Sequence, residues 1–203
     1  MTDAALVRRG LQLNYLSLAY NALEAVVSII AGVVAGSVSL TGFGMDSVVE
    51  VSASVAAQWR LRSHNEVTRR ERAERLTRRI VGVCFLALAA WVAYEAIETL
   101  WTRRAPERSV VGIIILALSV VIMPALARAK RRVARSLESS ALEAEAAQTS
   151  LCAYLSAIAL VGVVLNTVLG WWWADPVAAL AMTPIIAREG VEGFRGEPEC
   201  DCH

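Results

Sequence analysis

Gly42-Phe43-Gly44-Met45-Asp46-Ser47-Val48-Val49-Glu50 sets two carboxylates four residues apart in an otherwise apolar helix. That spacing is close to one helical turn, so Asp46 and Glu50 share a face. A second run, Ala141-Leu142-Glu143-Ala144-Glu145-Ala146-Ala147-Gln148-Thr149-Ser150-Leu151-Cys152, repeats the device. Gln148 and Cys152 share its face, with Glu145 one turn below. Carboxylates in a membrane-length helix are costly and mark function. With no lysine or arginine in the same helix interior, Asp46 and Glu50 need a cation or a proton. Two such helices face to face would build a cation site within the bilayer from Asp46, Glu50, Gln148 and Cys152.

The rest of the chain supplies the membrane. Of its 203 residues, 56% are hydrophobic, and the mean hydropathy is +0.50. A soluble domain of this size does not need so much apolar surface. Six stretches approach the ~20 residues of a spanning helix: about 12–35, 38–59, 80–101, 110–127, 141–169 and 174–187. The fold expected is an all-α membrane protein with six transmembrane helices. Basic residues collect in alternate connections. Arg60 to Arg79 and Arg128 to Arg135 carry most of them, with Lys130 counted among the second group. The positive-inside rule then places both termini in the cytoplasm of a multi-pass inner-membrane protein. The connections 60–79 and 127–140 read as solvated helical segments. The net charge of +1 is segregated by loop and gives no case for nucleic acid. The first apolar stretch is too long for a signal-peptide core and contains Glu24, so it reads as an uncleaved helix.

Polar stripes run down three of the expected helices. Asn14, Ser17, Asn21, Glu24 and Ser28 recur at helical spacing in the first. Gly42, Asp46, Glu50 and Ser54 do so in the second, and Glu138, Glu145, Gln148, Cys152 and Ser156 in the fifth. Asn14, Ser17, Asn21 and Ser28 read equally well as interhelical packing and hydrogen-bonding residues. Glu24 and Glu145 are assigned to the cytoplasmic approach or to proton relay rather than to holding an ion. Asp175, before Pro176, reads as the cap of the sixth helix. The four cysteines are not a disulfide framework. Cys200, Cys202 and His203 form an accessory soft-metal candidate in a short cytoplasmic segment, residues 196–203, beyond a membrane domain of residues 1–195.

These runs resemble a known family, the cation diffusion facilitators. Ala35-Gly36-Ser37-Val38-Ser39-Leu40 followed by Met45-Asp46-Ser47-Val48-Val49-Glu50 resembles their second helix, which carries Asp-x-x-x-Asp or His-x-x-x-Asp. Leu142 to Cys152 resembles their fifth, which usually reads Ala-Asp-Ala-x-His-x-x-x-Asp. Trp173-Ala174-Asp175-Pro176 resembles the start of their sixth. Glu50 stands where the family usually has Asp, and Gln148 and Cys152 replace His and Asp. The resemblance covers roughly residues 10–195 and is closest to a short form without a cytoplasmic C-terminal domain. It implies that Asp46, Glu50, Gln148 and Cys152 hold a transported divalent ion. It further implies alternating access, proton antiport and a homodimer. Cysteine with carboxylates allows Zn, Cd, Co or Fe(II), with zinc first. The chain is thus read as a non-enzyme that exports a divalent metal. A non-transporting membrane metal-binding protein, acting as sensor or modulator, is the alternative.

Overall fold

The computed structural model describes residues 3–62, 67–137 and 140–195. Cys200, Cys202, His203 and Glu138 lie outside the described residues. Six helices follow one another: α1 Asp3–Ala35, α2 Val38–Arg62, α3 Val67–Thr102, α4 Val110–Leu137, α5 Ser140–Leu169 and α6 Ala174–Arg195. They are the six expected, and no strand occurs among the described residues. Four contain stretches long and apolar enough to cross a membrane: Arg8–Ala35, Arg79–Thr102, Val110–Ser136 and Glu145–Leu169. In α2 and α6, acidic, hydroxyl and glycine residues dilute the apolar content. Both pack against other helices of the bundle.

The helices run past their apolar stretches, and this changes two expectations. Residues 127–137 are the end of α4, not a solvated connection. Ala127, Lys130, Val133 and Ala134 are buried there, because α4 lies along α5. The sixth helix continues beyond the expected residue 187 to Arg195 and brings Glu189 onto its ordered length.

Three pairs dominate the packing: α4 with α5, α3 with α6, and α1 with α2. Further contacts of α1 with α4, α5 with α6, and α2 with α3, α5 and α6 close the bundle. Leu40, Phe43, Val92, Leu116, Met182 and Ile186 are fully buried in its core. Lipid gives little hydrophobic drive between helices, so close approach through small residues matters more. A Cβ on Gly82 would lie 2.5 Å from the Phe194 nitrogen, and one on Gly190 2.7 Å from Leu86 Cγ. The α3 and α6 backbones therefore meet at these two glycines. Gly44 plays the same part between α2 and α1, where a Cβ would lie 2.8 Å from Ile29 Cγ1.

Asp175 caps a different helix from the one expected. It sits in the first turn of α6, but its carboxylate turns to the start of α2. It accepts hydrogen bonds from Ser37 Oγ at 2.6 Å, the Val38 nitrogen at 2.9 Å and the Ser39 nitrogen at 3.5 Å. The Ser39 hydroxyl donates to it as well. Helix N-termini leave amides unpaired and carry partial positive charge, which a carboxylate satisfies on both counts. Gly36, at φ 63°, makes the tight turn that offers these amides.

Asp175→Ala is expected to lower the unfolding free energy by about 2–3 kcal/mol, since it strips a buried cap of its charged acceptor. Asp175→Asn should recover part of the loss. Denaturation in detergent, followed by circular dichroism, checks the order wild type, Asn, Ala.

Candidate metal centre

Helix α2 carries Asp46 and Glu50 into the bundle, 2% and 4% exposed, and α5 brings the fully buried Cys152 against them. One carboxylate oxygen of each acid and the Cys152 sulfur all lie within 4.8 Å of one another. Cys152 Sγ donates to Glu50 Oε2 at 2.6 Å. Asn21 Nδ2, from α1, donates to the same oxygen at 3.1 Å. Asp46 Oδ2 is buried with no hydrogen-bond partner among the described residues, and so is Asn21 Oδ1. A buried carboxylate oxygen left unpaired is expensive. A divalent cation among these groups would satisfy it, and carboxylate and thiolate are ordinary ligands for zinc.

Gln148, one turn before Cys152, lines a small polar cavity next to this cluster. Glu50, Asn21, Lys130, Glu145 and Thr149 line it too. Of the four residues that the sequence groups, Asp46, Glu50 and Cys152 meet in one cluster, and Gln148 lines the cavity that Glu50 also lines.

Glu24 lies elsewhere, in a buried hydroxyl network. Ser47 Oγ donates to Glu24 Oε2 at 3.2 Å, and the Ser119 hydroxyl donates to Oε1. Tyr20 Oη is 3.0 Å from Ser119 Oγ. Donation from tyrosine to serine leaves the serine proton for the carboxylate. The network joins α1, α2 and α4.

Two charges lie where the sequence does not place them. Lys130, the sole lysine, reads from the sequence as a loop charge. It is 1% exposed, and its Nζ lies 3.2 Å from Glu145 Oε2 and 3.2 Å from Thr149 Oγ1. Glu145 is therefore half of an ion pair. The run Lys130-x-x-Val133-Ala134 carried the signal, since its apolar residues share the lysine's face. Glu189 fell beyond the expected end of the sixth helix. It lies close enough to act electrostatically on both Asp46 and Glu50, as does Glu24. It stands almost four full turns after Asp175, hence on the same face of α6. The sequence reads Asn21 equally as packing or function, and its bond to Glu50 places it at the cluster.

The sequence profile of the cation efflux transmembrane domain matches residues 15–195. The chain belongs to the cation efflux family. Among curated relatives, an uncharacterized transporter of Synechocystis sp. is 26% identical over 155 residues, covering 73% of this chain and 50% of that protein. The cation-efflux pump FieF of Shewanella oneidensis is 23% identical over 176 residues, covering 83% of this chain and 59% of that protein. The chain thus spans between half and three fifths of the length of these two relatives.

Glu24→Leu is expected to cost about 1–3 kcal/mol, because it removes the acceptor for two buried hydroxyls. Tyr20→Phe, at the far end of the same network, should cost under about 1 kcal/mol. Melting of both variants in detergent checks the order. Equal losses would show that Glu24 does not organise the network.

Proposed function

We propose that this chain moves a divalent metal cation across the bilayer. The observation that carries the reading is the meeting of Asp46, Glu50 and Cys152 from two helices in a buried cluster, with Asp46 Oδ2 unpartnered among the described residues. Family membership supports the same reading. The ion exchanges its water for Asp46 and Glu50 of α2 and Cys152 of α5, with Gln148 offering an amide oxygen from the adjoining wall. Thiolate with carboxylate favours zinc and cadmium, then cobalt and iron(II). Protons compete with metal for all three acidic groups, so proton uptake can drive metal release, and antiport is the coupling proposed. Glu145 and Glu24 serve the approach and the proton path.

The distribution of arginine supports cytoplasmic termini in an inner-membrane protein, and the family resemblance supports a homodimer. Residues 1–195 are taken as the transporting domain. The segment 196–203, with Cys200, Cys202 and His203, is taken as an accessory metal-gathering tail.

Asp46→Asn and Glu50→Gln are each expected to abolish metal flux into proteoliposomes while the protein still inserts. Undiminished flux in either variant would remove the central claim. Cys152→Asp should shift the competition profile from cadmium and zinc toward manganese, because a hard oxygen replaces a soft sulfur. An unchanged profile would reduce Cys152 to a packing residue. Metal binding without flux in the wild-type chain would favour a sensor or modulator instead.

A further inference from the structure

Lys130 is the least expected charge in the protein. Its ammonium is buried at the α4–α5 seam and held by Glu145 and Thr149. The Glu145 side chain retains 28% exposure, so one end of the pair is wet and the other dry. Both members line the polar cavity that also reaches Glu50 and Gln148. A buried ion pair contributes little stability over an apolar pair of the same shape. A fixed positive charge on the wall beside a cation site must act on whatever cation passes.

We propose that the Lys130–Glu145 pair is an ionic gate on the α4–α5 wall of the cavity that reaches Glu50, beside Asp46 and Cys152. The proposal rests on reading that cluster as the cation site. A divalent ion arriving at Glu145 attracts its carboxylate about twice as strongly as the ammonium does at equal distance, and it repels the ammonium. The pair therefore opens toward the incoming ion. The lysine's flexible four-carbon stem lets its head swing aside without moving α4. With the ion gone, the pair re-forms and the wall closes again. Arg131, whose Nη2 lies 3.0 Å from Ser150 Oγ on the exposed side of the same seam, keeps α4 and α5 fastened meanwhile.

The gate is tested by the reactivity of Cys152 in the full chain, with Cys84, Cys200 and Cys202 replaced by serine. Modification of a buried thiol reports the population in which its surroundings open. The probes are one cationic and one anionic methanethiosulfonate reagent. In K130M/E145Q both reagents should modify Cys152 about tenfold faster than in the wild-type background, and in K130R at close to the wild-type rate. The double variant leaves no unpaired buried charge, which protects folding. If it still fails to fold, K130M alone carries the test, with Glu145 left partly in water. Unchanged rates with both reagents would overturn the gate. Acceleration of the cationic reagent alone would also overturn it, since that is an altered field and not an opened path. Cd2+ binding measured on the same proteins separates the two readings. A wild-type chain that binds no Cd2+ would sink the metal site, while the labelling rates would still decide whether Lys130 and Glu145 close the cavity.

Discussion

The arrangement depends on a carboxylate that caps a helix other than its own. Asp175 reaches from α6 to the unpaired amides at the start of α2 and fixes where that helix begins. Asp46 and Glu50 lie two and three turns further on, so the cap sets their depth and the face they present. A one-residue shift of α2 along its axis would turn both acids by about 100° away from Cys152. The glycine contacts limit the remaining freedom. Gly44 seats α2 on α1, while Gly82 and Gly190 seat α3 on α6. The cap holds because it is buried and charge-assisted, in surroundings where water cannot replace it.

Much of the fold was legible because a membrane imposes a coarse rule. Apolar stretches of bilayer length announce helices, and the six expected are the six observed. Pairing at four-residue spacing revealed Asp46, Glu50 and Cys152, since that spacing fixes a shared face whatever the tertiary context. What the sequence concealed lay at helix ends and in partner choice. Hydropathy falls where α4 and α6 leave the apolar zone, although the helices do not stop there. Hydropathy therefore places Lys130 in a connection and Glu189 past the end of the sixth helix. The partner of Asp175 was hidden for another reason. A cap within one helix is visible from local spacing, but a cap lent to a helix more than 130 residues earlier depends on the three-dimensional arrangement.

The buried acids are told apart by what they accept from. Glu24 accepts from hydroxyls of α2 and α4, Glu50 from a thiol and an amide, and Glu145 from an ammonium. Each acid meets a different partner chemistry. Only at the central pair does a buried carboxylate oxygen stay unmatched among the described residues. In a low-dielectric interior, satisfied groups hold the frame and the unsatisfied one is where a new partner gains most.

Glu50 Oε2 has a mechanical meaning of its own. That single oxygen accepts from Asn21 on α1 and from Cys152 on α5, while belonging to α2. It is a three-way joint. Because both bonds end on one atom, α1 and α5 are tied to α2 at the same depth, and a change in the position of that oxygen reaches both neighbours together.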